Sequence, residues 1–182
     1  MNRKRWRLGA TGLYVFALTA GLILGGMITT LASAQGLPKQ GVLPLALAEK
    51  AAVAALDKCA AGGYKVSVAV VDRGGNLKVL LRDDDAGPHT VDSSSRKAYT
   101  SASLRRPTEH LAQLMVKFPS IQGLRDMNEK ILILGGGLPI EIQGEVVGGL
   151  GVGGAPGAHL DEACATAGVQ AIGGEMKGAP GP

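Results

Sequence analysis

The amino-acid sequence predicts an α+β fold in which a mainly antiparallel sheet of five strands packs against helices. Two observations carry this prediction. Alternating apolar segments flank the turn Arg73–Asn76, and a second pair flanks Gln143-Gly144. Short turns rich in glycine and asparagine join neighbouring antiparallel strands. Because hairpins dominate the connections and helical patterns surround them, the predicted order is α-β-β-α-α-(α)-β-β-β-α.

The first half of the fold begins with an alanine-rich helix. Pro44 suits its first turn, and Gly62-Gly63 suits its end. A valine-rich alternating strand, a returning strand and a polar loop, Asp83–Val91, follow. Asp92 or Ser93 can cap the next helix, and Pro107 ends it. The predicted elements here are helix Leu45–Ala61, strands Tyr64–Asp72 and Leu77–Arg82, and helices up to Arg105 and from Thr108 to Phe118.

The second half holds three apolar segments separated by turn residues, and then an alanine-rich helix. A short helical turn around Ile121–Met127 precedes them. The predicted elements are strands Ile131–Leu134, Pro139–Gln143 and Glu145–Gly153 and helix Asp161–Ile172. We expect the glycine- and proline-rich tail, Gly173–Pro182, to be disordered, which leaves a single domain over residues 35–172.

The first 34 residues have the pattern of a signal peptide. Four basic residues precede Leu8–Ala34, which carries no charge, and Ala32-Ser33-Ala34 is an A-x-A cleavage site. We therefore expect export to the periplasm or the exterior. Because Leu8–Leu31 approaches the ~20 apolar residues that span a bilayer, an uncleaved membrane anchor is the alternative.

Charge and aromatic content argue against nucleic-acid binding. The formal net charge of +4 comes from 19 basic and 15 acidic residues. Removal of the signal, with its four basic residues, leaves 15 basic and 15 acidic residues. The mature chain therefore has no excess of positive charge that would attract the phosphates of a nucleic acid. Only Tyr64, Tyr99 and Phe118 remain as aromatic residues, too few for a base-stacking platform.

The two cysteines, Cys59 and Cys164, suggest a structural role. An oxidising compartment favours their pairing, and helices on the same sheet could bring them together. Two small buried core residues are the alternative, because a sequence does not show the geometry that a disulfide requires. Neither cysteine lies in C-x-x-C or C-x-x-C-H, so thioredoxin-like chemistry and covalent haem attachment are not indicated.

Several motifs, in order and spacing, resemble the GlcG/HbpS-like haem-binding family (the DUF336 type) over about Leu43–Ile172. They are the D-R-x-G hairpin, R-K-A-Y-T, G-G-L-P-I and the closing G-V-x-G-A-P-G with D-E-x-C-A. The resemblance implies an α+β fold, haem as ligand and assembly into homo-oligomers. In a family of this kind His89, in a polar loop beside Pro88, becomes the leading axial ligand of the haem iron.

The other candidate site residues lie on the following helix. Arg96 and Thr100 share one face, and Lys97 begins the neighbouring face. A cation near the ligand loop, Arg96 or Lys97, could pair with haem propionates. The R-K-A-Y-T match implies that Lys97 and Thr100 are pocket residues, and Tyr99 is the next candidate for the iron ligand after His89. Without the resemblance, an ordinary solvated helix face and an exposed loop histidine would explain these residues. His110 and His159 are expected to be helix-end residues without a ligand role.

Glycines alternate along the last predicted strand at Gly149, Gly151 and Gly153, leaving one sheet face without side chains. The run also fits G-x-G-x-x-G, but no helix opens directly after it and too little chain follows for a dinucleotide site. A bare face permits close packing of a helix, the first interpretation, or of a flat ligand, the second.

No motif indicates catalysis or a calcium site. The acidic run Asp83–Asp85 lacks EF-hand spacing, and Ser93–Ser95 are ordinary helix-start residues. We expect a non-enzymatic, exported protein that binds haem non-covalently as a sensor accessory, carrier or scavenger. A haem-degrading enzyme, a module for another small ligand, and an accessory subunit of an exported oxidoreductase are the alternatives.

Overall fold

The computed structural model describes residue 36 and residues 38–175. The predicted signal peptide and residues 176–182 of the predicted tail lie outside this range. The elements are helices α1 (Leu45–Ala61), α2 (His89–Leu104), α3 (Thr108–Lys117) and α4 (Ala158–Ala171), a 3-10 helix (Pro119–Arg125), and strands β1 (Ser67–Asp72), β2 (Leu77–Arg82), β3 (Gly137–Ile142) and β4 (Glu145–Gly153).

The α+β prediction is confirmed, but within residues 38–175 the sheet has four strands and not five. Every neighbouring pair is antiparallel, in the order β2-β1-β4-β3. The predicted strand Ile131–Leu134 is the error. Ile131 and Ile133 are buried against α3, as their alternation suggested, but the backbone of this segment bonds to side chains of α2. Those bonds take the place of a strand ladder.

Helices cover both faces of the sheet. On one face, Val68 and Val70 of β1 and Leu150 of β4 are fully buried with alanines of α1 and α4. Burial of such aliphatic side chains is the main stabilising contribution of a core, at roughly 25 cal/mol per Å². On the other face, Ala69 and Val71 pack against α2. Among the described residues, no helix combines the length and the apolar character that crossing a bilayer requires.

Helix α2 lies directly on the alternating glycines of β4. A Cβ atom on Gly151 would overlap the carbonyl oxygen of Ser94, and one on Gly149 would overlap that of Ala98. The residues of β1 opposite these glycines are small or β-branched, so the helix backbone sits close to the sheet. Close packing of a helix is thus the correct interpretation of the bare face, and a flat ligand cannot enter there.

Helices α1 and α4 are joined by a disulfide between Cys59 and Cys164, with 5.5 Å between the Cα atoms. Both residues are buried. A bond that closes a loop of this length reduces the entropy of the unfolded chain and adds about 3–5 kcal/mol of stability in the chain-entropy model. The crosslink lies among the residues of the core between α1, α4 and the sheet.

Two helices begin earlier than the sequence predicts. Helix α2 begins at His89 rather than at Asp92 or Ser93, because Thr90 hydrogen-bonds through its hydroxyl to the Gly87 carbonyl and to Ser67 of β1. Helix α4 begins at Ala158 rather than at Asp161. His89 is therefore a helix residue and not a loop residue.

We predict that Gly151→Ala destabilises the protein by about 1–3 kcal/mol, the range for overpacking a filled interior. The added methyl group would force α2 away from the sheet. Denaturant unfolding measures the change. Gly123→Ala is the control, because a Cβ there meets no atom within 4 Å. Equal stability of the two variants would show that α2 does not depend on this contact.

Candidate functional site

The principal cleft lies between α2 and the β1–β2 hairpin, with a volume of about 360 Å³. This volume is within the range of small-molecule sites. Val71 and Leu77 provide apolar walls. Apart from Gly75 of the hairpin, the remaining lining residues are polar, aromatic or charged: Asn76 from the hairpin, Asp92, Ser95, Arg96 and Tyr99 from α2, and Lys130 from the segment before β3.

The hairpin turn that forms one wall is held by Asp72. Its carboxylate accepts hydrogen bonds from the backbone amides of Gly74 (2.8 Å) and Asn76 (2.9 Å) and from the Asn76 side chain. Slight burial opposes ionisation, but these hydrogen bonds and the nearby Lys78 lower the pKa of Asp72 overall. Gly75 has a φ of 78° and lies against the Tyr99 ring, so no other residue fits there without strain.

The guanidinium of Arg96 is fixed on the opposite wall. Its Nη2 donates to the Ile131 carbonyl at 2.7 Å, and its Nη1 lies 3.5 Å from an Asp92 carboxylate oxygen. Its Nε is buried without a hydrogen-bond partner among the described residues. A buried donor that lacks a partner carries a desolvation cost, which an acceptor on a ligand would remove.

Thr100 anchors the segment that brings Lys130 to the cleft. Its hydroxyl donates to the Arg96 carbonyl (2.7 Å) and accepts from the Leu132 amide (2.8 Å). Thr100 is fully buried and does not line the cleft. In this cleft Thr100 therefore has a supporting position, hydrogen-bonded to the Arg96 carbonyl, and its predicted role in a haem pocket stays a prediction.

Lys97 is buried in an ion pair and is not a surface cation, so its contact with a propionate stays a prediction that this geometry does not favour. The residue is about 1% exposed, and Nζ donates to Asp161 (2.8 Å) and to the Val152 carbonyl (2.9 Å). The second Asp161 oxygen accepts from the Ala155 amide at 3.0 Å. The pair therefore joins α2, the end of β4 and the start of α4, where no cleft ligand reaches it.

His89 lies exposed at the start of α2, outside the lining of the cleft. It precedes Asp92 by three residues and Arg96 by seven, a spacing that places all three on one helix face. His110 and His159 do not line the cleft either. Among the described residues, no cluster of three or more histidine, cysteine or acidic side chains could hold a metal ion.

Lys130 is a charged cleft residue that the sequence patterns do not mark. It follows an irregular turn in which the Asn128 side chain accepts a hydrogen bond from the Lys130 amide at 2.8 Å, and it lies 26 residues beyond the end of α2 at Leu104. No periodic pattern marks such a residue. The sequence indicates a turn at Asn128, but it does not indicate that this turn places Lys130 beside the cleft.

A second site of unusual ionisation lies near the glycines that precede β3. Burial raises the pKa of Glu162, and the neighbouring Glu109 carboxylate raises it further, while a hydrogen bond from the Gly136 amide opposes both. Its Oε2 atom is buried without a hydrogen-bond partner in the described part of the chain. Folding therefore raises the pKa of Glu162.

These features describe a small α+β domain in which a cleft lies beside α2, the helix that packs on the glycines of β4. Residues 43–170 match the family model described as "Haem degrading protein HbpS-like". The chain belongs to the HbpS-like family, as the motifs indicated. It is 30% identical over 118 residues to the protein GlcG of Escherichia coli K12, covering 61% of this chain and 81% of GlcG.

Two solved structures are similar to this domain. One is a double mutant of HbpS from Streptomyces reticuli, with 44% identity, a TM-score of 0.70 and coverage of 78% of this chain and 95% of that one. The other is a complex of PduOC with heme, with 25% identity, a TM-score of 0.69 and coverage of 74% and 98%. They agree with this structure in fold.

We predict that Glu162→Gln raises the melting temperature near pH 7 but not near pH 4. A carboxyl whose pKa is higher in the folded than in the unfolded state contributes most to the free energy of unfolding at low pH. This contribution is lost as the pH rises through the folded-state pKa. The neutral amide removes that loss. Glu49→Gln, on exposed α1 surface, is the control. A pH-independent effect of Glu162→Gln would contradict the assignment.

Proposed function

We propose that this protein binds haem non-covalently in the cleft between α2 and the β1–β2 hairpin. The observation that carries the proposal is the pairing of an aromatic ring with two cations, Tyr99 with Arg96 and Lys130, in a cleft with apolar walls. A flat apolar ring system with carboxylates at its edge matches this chemistry. Membership of the HbpS-like family and similarity to a haem complex support haem in particular.

The residues present fit a haem group. The face of Tyr99 and the side chains of Val71 and Leu77 suit the macrocycle, and the unpartnered Nε of Arg96 suits a propionate oxygen. The bound iron would need a nitrogen or oxygen ligand, for which His89, at the end of the same helix face, and the Tyr99 phenol are the candidates. The iron supplies the redox and ligand-binding chemistry when haem is bound.

Titration of the purified protein with haem tests the proposal. We expect a shifted Soret band in the parent, a changed or weakened band in His89→Ala, and unchanged circular dichroism because His89 is exposed. His159→Ala should match the parent, which makes it the control. If His89→Ala has the parent's spectrum, Tyr99→Phe decides whether the phenol is the ligand. If haem does not change the Soret band of the parent protein, haem is rejected as the ligand. The remaining interpretation is then a module that binds another flat anionic ligand.

We further propose that the protein is exported and acts as a sensor accessory, carrier or scavenger in homo-oligomeric form rather than as an enzyme. The signal-like N-terminus and the buried Cys59–Cys164 disulfide support export, because disulfides persist in oxidising compartments. Oligomers and a sensor or oxidoreductase partner are to be sought by co-purification. Assays of haem turnover separate a binder from an enzyme.

Mass spectrometry of the exported protein tests the processing. We expect the mature N-terminus at Gln35, because the A-x-A site ends at Ala34. The cell membranes of the same culture are the control fraction. Recovery of the full-length chain from those membranes would show that the apolar segment acts as an anchor instead.

A further inference from the structure

We propose that Lys130 is a movable lid on the Tyr99 ring, which leaves the ring when a flat anionic ligand enters and pairs with a carboxylate of that ligand. The inference rests on the proposed function and assigns a role within the same cleft. It concerns which ligands the cleft selects, and not whether the iron is ligated. Three observations carry it.

The first observation is the position of the Lys130 ammonium. Nζ lies 5.5 Å from the centroid of the Tyr99 ring, so it occupies the aromatic surface that faces the cleft. The residue is exposed, and within the described part of the chain no carboxylate lies within 4 Å of Nζ. A cation–π contact at an exposed site is weak and easily exchanged.

The second observation is that the backbone around Lys130 is fixed while its side chain is not. The Lys130 amide donates to Asn128 (2.8 Å), the Ile131 carbonyl accepts from Arg96 (2.7 Å), and the Leu132 amide donates to Thr100 (2.8 Å). The 128–132 segment is therefore anchored to α2 directly after Lys130, and the turn at Asn128 holds the Lys130 amide. Only the flexible four-carbon stem can move, and it moves within reach of the cleft.

The third observation is the difference between the two cations of the cleft. Arg96 is held by Ile131 and Asp92, and one of its buried donors has no partner among residues 38–175. Within the same residues, the Lys130 side chain makes only the contact with the Tyr99 ring. One fixed and one movable positive charge beside an aromatic ring match a planar ligand that carries two carboxylates at its edge.

The lid makes a prediction that a merely structural residue would not make. Removing the Lys130 charge takes away a carboxylate partner and also uncovers the Tyr99 ring. A charged porphyrin should therefore bind more weakly, whereas the same porphyrin without charged carboxylates should bind more tightly. Weaker binding of the charged porphyrin reports the carboxylate pairing, and tighter binding of the uncharged porphyrin reports the uncovered ring.

The test compares the full-length parent, Lys130→Gln and Lys50→Gln. The third variant removes the same charge from the exposed surface of α1. Each is titrated with metal-free protoporphyrin IX and with its dimethyl ester, followed by porphyrin fluorescence at low and high salt. The metal-free ring excludes any effect of iron ligation, so the result is independent of His89.

We expect Lys130→Gln to weaken binding of protoporphyrin IX about fivefold, the effect of losing one half-exposed ion pair, and to reduce its salt dependence. Binding of the dimethyl ester should be tighter, and Lys50→Gln should match the parent. An unchanged ester affinity beside weaker binding of the acid would overturn the lid and leave Lys130 as a carboxylate partner only. Equal changes for both ligands, or no change for either, would overturn the lid. A parent that binds neither porphyrin nor haem would overturn the proposed function together with it.

Discussion

The close contact between α2 and the glycines of β4 determines how every other part of the cleft is arranged. Because Gly149 and Gly151 have no side chains, the carbonyl groups of Ser94 and Ala98 lie against the strand. One helix face is thus used entirely for packing. The face that carries Arg96 and Tyr99 is left beside the β1–β2 hairpin, and the cleft forms where the helix and the hairpin diverge.

The same placement of α2 turns Lys97 inward. Its charge is balanced by Asp161, and both oxygens of that carboxylate are hydrogen-bonded. Burying two charges is costly, and only such complete pairing offsets the cost, whereas loss of one partner leaves an uncompensated charge. The R-K-A-Y-T motif therefore combines a cleft cation, an interior ion pair, a cleft aromatic and a buried anchor within five consecutive residues.

Much of the fold could be predicted from the sequence because its signals are local. The bounds of the first helix, Leu45–Ala61, agree with the structure. The first hairpin turn has the glycine and asparagine residues that favour such turns, and the second has Gly144. The predicted strand Ile131–Leu134 failed because its alternation reports burial, and burial against α3 gives the same pattern as a sheet. A local pattern does not distinguish the two environments.

The candidate site was less predictable, for a related reason. Helical spacing predicted that Arg96 and Tyr99 lie in one region. It could not show that Lys97 forms an ion pair with Asp161, which lies 64 residues further along the chain. Nor could it show that Lys130 returns to Tyr99. Such pairings depend on how α4 and the 128–132 segment pack against α2, which is a property of the whole domain.

The disulfide has a consequence for the integrity of the chain. Every residue that lines the cleft, from Val71 to Lys130, lies between Cys59 and Cys164 in sequence. A protease that cuts once within that stretch opens a covalent ring but releases no fragment. The two pieces remain linked through α1 and α4 on the opposite side of the sheet, so a nicked molecule keeps the parts of its binding cleft together.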